Sequence, residues 1–421
     1  MNKSLIWALA AGLLIVGGGL LLARRGVAVA AQEEEAPLFR SQPQGAGRLI
    51  QLDAREPLRA VRWLPPLPGG WALCQVSTQA DRQLLGLFQD GALVRTFPLP
   101  RPEGVTDGFF RQAEVREAHL SGSTLVLLLT PEGGRREASM VVALELDGTL
   151  KWARRVPAAH LSGDPSATWA WGPASAQLLP ADAKTALPEA VAFPSEIAGP
   201  VALQAAGKGF LLAHAKGLSA WQGAGGWVHV PAPTRSPLGF PEAGAALVRC
   251  GDGFYWQPEP GTLLKVNPEA RGVAPVPIPA PAEALDASLL KLLGSDDSGH
   301  LWFALARPSL PQAAPPTVPP PAPQVDPTEP APPTELPAPA LTADQRTAFE
   351  ARLKGPMDRL YAWKPGEGTL RTFTWSQAWP HLGAPADLPI PTGDGGIRPE
   401  GKGWLGGDEA KRWWLPLSAL P

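Results

Sequence analysis

VVALELDGTLKWARRV, from Val141 to Val156, keeps apolar residues at every second position from Val142 to Leu146, breaks at Asp147-Gly148, and resumes on the far side. Val142, Leu144 and Leu146 fall on one face of a strand, and Leu150 and Trp152 alternate on the return strand. A period of two places one face of each strand on a core, and Asp-Gly tolerates the positive φ of a tight two-residue turn, so the stretch reads as a β-hairpin. The same grammar returns in LLGLFQDGALVRTF around Asp90-Gly91 and in FYWQPEPGTLLKV around Pro260-Gly261. It recurs in LYAWKPGEGTLRTF around Gly366 to Gly368 and in WLGGDEAKRWWLPL near Asp408. One unit recurring along a chain marks a repeat architecture.

Composition agrees with an all-β chain. The 421 residues suffice for two ordinary domains or for one large closed-sheet domain. The 45 glycines and 51 prolines disfavour long helices, because in a helix interior they cost about 1 and 3 kcal/mol relative to alanine. Turns and short strands accept both. The 16 tryptophans are wide amphipathic rings that fill a core or line a binding surface, and most are expected in the core. A formal net charge of -2 supplies no basic stripe for a phosphate backbone, which argues against a nucleic-acid partner. Cys74 and Cys250 stand alone outside any metal-ligand spacing, and read either as two buried thiols or as one disulfide in an exported chain.

The amino terminus carries an uncharged apolar run, Leu5 to Ala23, between Lys3 and Arg24-Arg25. Its length suits a bilayer, which takes about 20 residues. The Gly17-Gly18-Gly19 interruption and Ala28-Val29-Ala30 keep a cleavable signal peptide open as the alternative. Residues 1–25 are therefore read as a transmembrane anchor or signal segment, and 26–46 as a polar tether that includes Glu33-Glu34-Glu35 and most of SQPQGAG. The expected location is a single-pass membrane protein with its body outside the cytoplasm, periplasmic or extracellular, or else a secreted protein after cleavage.

Residues 47–421 are expected to form a β-propeller. Taken as the tips of outer hairpins, the turns lie near residues 90, 147, 224, 260, 367 and 408, while blade repeats run roughly 40 to 50 residues. The gap from 147 to 224 is filled by a weakly patterned blade, of which TWAWG and AVAF between Thr168 and Phe193 are the visible fragments. The gap from 260 to 367 contains the proline tract Pro311 to Pro339, which lacks the amide donors a ladder needs and favours an extended coil. Thr342 to Lys354 then reads as a short helix with Thr342 as N-cap, Gln345 in the capping-box position, and Gly355-Pro356 as its stop. Residues 308–357 are thus read as an insertion within one blade. Removing it leaves about seven four-stranded blades. GRLIQLD at Gly47 to Asp53 is an orphan strand that can pair with the last hairpin and close the ring, abolishing exposed edges. A pair of smaller β domains split by the proline tract is the rival fold.

VVALELDGTLKWARRV, SGHLWFA and DRLYAWKPGEGTLRTF resemble blade motifs of the broad group of quinoprotein-like and related bacterial β-propellers. The resemblance implies the fold and no single function. Quinone-dependent dehydrogenases of that group use adjacent cysteines and a metal site near the cofactor. Cys74 and Cys250 do not match that pattern, so no catalytic residue carries over. Non-enzymatic relatives act as assembly scaffolds in bacterial envelopes, and the chain is more similar to those.

The usual catalytic signatures are missing. Neither a Gly-x-Ser-x-Gly elbow nor a His-Glu-x-x-His motif occurs, and His119, His160, His214, His229, His300 and His381 are scattered without metal-ligand spacing. GIRPEGK, Gly396 to Lys402, has phosphate-loop spacing but places Gly403 where Ser or Thr must hold magnesium. Asp296-Asp297-Ser298-Gly299 lacks the ligand spacing and closing glutamate of a calcium loop and reads as a solvated turn. No catalytic residue, cofactor or metal ligand is expected. The expected function is a non-enzymatic, membrane-anchored propeller scaffold that binds a protein or glycan partner in the cell envelope. The alternative is a propeller-type hydrolase or lyase acting on envelope sugars, with Trp169 and Trp171 as candidates to stack on a ligand. A third reading makes the proline tract a ligand for polyproline-binding grooves, with Arg307 as the basic neighbour of its first PxxP spacing.

Overall fold

The computed structural model describes residues 38–419 apart from 55, 132–138, 165, 198, 207–208, 234–245, 268–271, 280–288, 307–358, 377–378 and 380–401. Two N-terminal strands come first, β1 (Phe39–Gln44) and β2 (Gly47–Leu52). Blade 1 follows as β3 (Leu58–Trp63), β4 (Trp71–Thr78), β5 (Gln83–Gln89) and β6 (Ala92–Pro98). Blade 2 is β7 (Ala113–Ser121), β8 (Thr124–Pro131), β9 (Met140–Glu145) and β10 (Leu150–Arg155). Blade 3 is β11 (His160–Asp164), β12 (Ala167–Trp171), β13 (Ser175–Leu178) and the short β14 (Val191–Ala192). Blade 4 is β15 (Pro200–Ala206), β16 (Gly209–His214), β17 (Gly217–Trp221) and β18 (Trp227–Pro231). Blade 5 is β19 (Ala246–Cys250), β20 (Gly253–Glu259), β21 (Thr262–Asn267) and β22 (Gly272–Pro275). Blade 6 is β23 (Leu290–Ser295), β24 (Leu301–Leu305), β25 (Arg359–Trp363) and β26 (Arg371–Thr374), and the last strands are β27 (Gly403–Gly407) and β28 (Lys411–Pro416). Blades 1 to 6 are four-stranded antiparallel meanders, and the seventh sheet has the order β1-β2-β28-β27. The fold is a seven-bladed β-propeller.

Closure joins the two ends of the chain. GRLIQLD pairs with the last hairpin, Arg48 opposite Trp414 through Gln51 opposite Lys411. The seam takes one strand more than the sequence reading allowed, because Phe39–Gln44 forms β1 and pairs along β2. The tether boundary at residue 46 therefore moves back. FRSQPQ reads as tether because it is almost wholly polar, yet its one large apolar residue, Phe39, is 1 % exposed. Phe39 packs edge-on against Trp63 and Phe88 of blade 1, with centroids at 6.0 and 5.2 Å.

The core is a ring of layers between blades. Leu73, Leu85 and Leu87 of blade 1 meet Val115, Leu127 and Val142 of blade 2. Val141, Ala143 and Trp152, on the opposite face of blade 2, meet Ala170 of blade 3. Blade 2 thus buries both faces. The same contacts explain the recurring pairing of an aromatic with a turn glycine. Gly148 has φ +91°, and a Cβ on it would lie 2.6 Å from the ring of Phe97 on the neighbouring blade. Gly91, at φ +73°, meets Trp414 of the closing blade in the same way, at 2.7 Å. Only glycine combines that conformation with that approach.

Local geometry departs from the sequence reading in two places. The β9–β10 loop closes through Gly148 N–H, which donates to the Glu145 carbonyl at 2.9 Å, so Leu146 belongs to the turn and not to the strand face. A bulge between Leu150 and Trp152 then sends those two residues into different layers. Secondly, Pro260-Gly261 joins the second and third strands of its blade, and the turn at Asp408 joins β27 and β28 at the end of the closing sheet away from β1. Asp90-Gly91, by contrast, joins the third and fourth strands of its blade as an outer hairpin does. Two buried glutamines staple neighbouring blades. Gln75 Nε2 donates to the Ala113 carbonyl at 2.8 Å and its Oε1 accepts from Val115 N–H at 2.7 Å. Gln257 does the same to Leu290 and Leu292, at 3.0 and 2.6 Å. Both staples sit beside a bulge in the receiving strand, where the ladder leaves peptide groups to be satisfied.

β24 and β25 pair directly in blade 6, although residues 306–358 lie between them in the sequence. The proline tract and the Thr342 to Lys354 helix lie outside the described residues, as does Leu5 to Ala23. Among the described residues no helix is long and apolar enough to cross a membrane. Tryptophan is largely a core residue: among those described, only Trp63, Trp71, Trp221 and Trp227 are less than fully buried. A dense cluster joins blade 6 to the closing blade, where Trp413 meets Trp379 and Trp404 at 5.0 and 5.9 Å. Trp413→Ala should lower the unfolding free energy of the full-length chain by about 3–5 kcal/mol in a urea titration. Val94→Ala, at a half-exposed position on β6, should stay within about 0.5 kcal/mol. Equal midpoints for the two variants would show that the seam does not hold the ring.

Candidate ligand cleft at the closing blade

A cleft of about 860 Å³ opens where the closing blade meets blade 6 and the Asp90 turn of blade 1. On the blade 6 side lie the Asp296–Ser298 turn, His300, Arg371 and Phe373; on the closing-blade side lie Arg48, Lys402 and Trp414. The floor is aromatic. Trp302 stacks on Phe373 at 5.5 Å and 17°, and the Arg371 guanidinium sits 5.2 Å from the Phe373 centroid.

Two acids of this cleft are engaged. Asp296 Oδ1 accepts from the backbone N–H groups of Ser298 and His300, each at 2.9 Å, and its Oδ2 accepts from Trp302 Nε1 at 2.9 Å. The backbone forms the turn expected of Asp296-Asp297-Ser298-Gly299. Asp297 pairs with Lys402 at 2.9 Å. That hydrogen bond and the Asp297 charge, with Asp90 adding to them, raise the Lys402 pKa above the usual lysine range. Lys402, the last residue of GIRPEGK, leads directly into β27, so the helix that a phosphate loop needs does not follow. Residues 396–401 lie outside the described set.

Polar groups along the axis mainly tie blades together. The first strands β7, β11, β15, β19 and β23 pack in succession. Arg62 pairs with Glu114. Glu117 meets His160 Nδ1 at 2.7 Å and accepts from Leu161 N–H at 2.6 Å. Gln204 donates to the Leu247 carbonyl at 3.2 Å, and Ser162 and Ser295 donate to the carbonyls of Leu203 and Arg249. Arg249 also reaches Asp164 at 3.4 Å, bridging blades 5 and 3. Burial opposes ionisation of Asp164, but hydrogen bonds from Ser166 and Ala167, with Arg249, outweigh it and hold the carboxyl below its ordinary range.

Blade 4 carries a second polar cluster. His214 Nε2 and His229 Nδ1 both meet the Ser219 hydroxyl, at 3.0 and 3.1 Å, and the two rings stack at 5.2 Å. Lys216 N–H donates to His214 Nδ1, at 3.4 Å, which assigns the His214 proton to Nε2 and the serine proton to the bond with His229. Burial, then the charges of His229 and Lys216, lower the His214 pKa to about 4. Ser219 is 2 % exposed, so this serine is closed to a substrate.

Trp169 and Trp171 lie in the core of blade 3, at 3 % and 6 % exposure. Trp169 packs against Phe210 at 4.9 Å and Trp171 covers His160 at 4.5 Å. Neither contributes to the cleft. Cys74 and Cys250 are free buried thiols on separate blades; burial raises the pKa of both, that of Cys250 to about 11, which makes them poor nucleophiles. Among the described residues no group of three or more His, Cys, Asp or Glu side chains is placed to hold a metal. Arg48, Asp90 and Arg371, which line the cleft, lie in segments that the sequence marks only as strands and turns, and they come from three separate blades.

No protein-family model matches the sequence, and no curated protein matches it. Solved structures with a similar trace include selenomethionine-substituted virginiamycin B lyase from Staphylococcus aureus, at 11% identity over 63% of this chain and 87% of that one, with a TM-score of 0.36. BamB from Moraxella catarrhalis is similar at 10% identity over 63% and 91%, with a TM-score of 0.33. The RRP9 WD40 repeats are similar at 8% identity over 91% and 100%, with a TM-score of 0.43. These likenesses concern the fold alone.

His214 supplies a pH test of this geometry. Its folded pKa lies below the unfolded value near 6.5, so between about pH 6.5 and 4 the unfolded chain binds a proton that the folded chain refuses. Stability should fall as pH drops through that window, by up to about 1.4 kcal/mol per unit from this group. His214→Asn should flatten the slope of unfolding free energy against pH over that range. An unchanged slope would contradict the arrangement.

Proposed function

We propose that this chain is a membrane-tethered, non-enzymatic scaffold of the cell envelope whose propeller holds a protein partner at the cleft beside the closing blade. The apolar Leu5 to Ala23 run supports the tether, with the body outside the cytoplasm, and release by signal cleavage is the variant of this reading. The observation that carries the proposal is the state of the cleft's carboxylates. Asp296 is occupied by three hydrogen-bond donors and Asp297 by Lys402, so the groups facing a ligand recognise charge and shape and are poorly suited to pass protons. A glycan hydrolase needs two carboxyl groups on opposite sides of a bond, one of them free to donate. Asp296 and Asp297 share a single turn and are both engaged, and Asp90 on blade 1 is left as the one other carboxylate among the described lining residues, which favours binding over that chemistry.

A photo-crosslinking residue at Ser298 in the full-length chain, expressed in its own envelope, should capture a reproducible protein partner, and the same residue at Val94 should not. Equal capture at both positions, or none at either, would overturn the scaffold reading. Sugar release from envelope glycan that is abolished by Asp90→Asn would replace it with the hydrolase.

A further inference from the structure

We infer that the cleft recognises side-chain carboxylates on an acidic polypeptide segment, through a pair of guanidiniums, Arg48 and Arg371. This rests on the scaffold reading and names the chemistry of its partner. Lys402 is held by Asp297, and Asp296 is consumed by its own turn and by Trp302. Among the described residues Arg48 and Arg371 have no carboxylate within ion-pair distance, although both line the cleft with Asp90, Asp296 and Asp297. The uncompensated cations are therefore the two arginines.

Arg371 is also oriented. Its guanidinium lies over Phe373, Phe373 stacks on Trp302, and Trp302 is fixed by its bond to Asp296. A guanidinium held over a ring by this cation–π contact keeps N–H groups for an acceptor, and less side-chain entropy remains to be lost on binding. Arg48 projects from β2 on the closing blade, at the register position opposite Trp414, so the two forks belong to opposite walls. Carboxylates match such forks in two-point contacts. Phosphates match them too, but a dianion or a polyanionic backbone would also meet Asp90, Asp296 and Asp297 in the same cleft. Single carboxylates spaced along a chain leave room between those acids, which favours an acidic peptide.

The test uses the full-length chain in detergent and fluorescein-labelled hexapeptides, alternating glycine with glutamate, glutamine or phosphoserine. The glutamate peptide should bind at least about tenfold more tightly than the glutamine peptide, with the advantage shrinking as salt rises. Arg48→Ala with Arg371→Ala should remove that advantage at an unchanged melting temperature. Arg371→Lys should not restore it, because an ammonium offers neither the fork nor the stack. Equal binding of the glutamate and glutamine peptides to the unmodified chain would overturn the inference whatever the variants do, and so would a preference for the phosphoserine peptide. Retention of the Ser298 crosslink in the double-arginine variant would also reject the carboxylate role while leaving the scaffold reading intact. Absence of any Ser298 crosslink in the unmodified chain would reject the scaffold reading itself.

Discussion

The rest of this propeller depends on the pairing of β2 with β28, because that pairing completes the one sheet built from both ends of the propeller sequence and covers a face of each neighbouring blade. An unclosed ring would expose the face of blade 1 built on Phe88 and Cys74, and that of blade 6 built on Trp302 and Phe373. Strand pairing supplies the register and the aromatic residues supply the area. Phe39 and Trp63 cover one side of the closing blade, and Trp379, Trp404 and Trp413 cover the other. Because two strands come from each end of the propeller sequence, closure couples both ends to the whole fold.

The same constraint places the cleft. It opens beside the closing blade, where the β1–β2 turn, the start of β27 and the end of β28 meet the turns of the neighbouring blades. Elsewhere polar side chains tie neighbouring blades together, as Gln75, Gln257 and Glu117 do. At the cleft Arg48 and Arg371 have no such tie among the described residues.

Much of the fold is legible in the sequence because its signals are local. Asp90-Gly91 and Asp147-Gly148 mark hairpins through the backbone demands of the turn itself, and GRLIQLD is identifiable as a strand without a neighbour. β1 is hidden because a strand anchored by one phenylalanine has almost no apolar period. The place of Leu146 in its turn is hidden because turn length depends on the bulge that follows it. The site is far less legible. Trp169 and Trp171 draw attention as near-adjacent aromatics, but TWAW forms a strand buried on both faces. Arg48 and Arg371 lie more than three hundred positions apart and come to line one cleft only through closure, which no local pattern reports.

Closure can be tested covalently. Gln51 and Lys411 face each other across the β2–β28 ladder, so Gln51→Cys with Lys411→Cys places two thiols at a cross-strand position that a disulfide can bridge. Under mild oxidation of the full-length chain the pair should form an intramolecular crosslink in high yield. A control pair, Gln51→Cys with Lys402→Cys, lies away from that register and should not. Failure of the first pair to crosslink in folded protein, or equal crosslinking of both, would contradict a ring closed by its two ends.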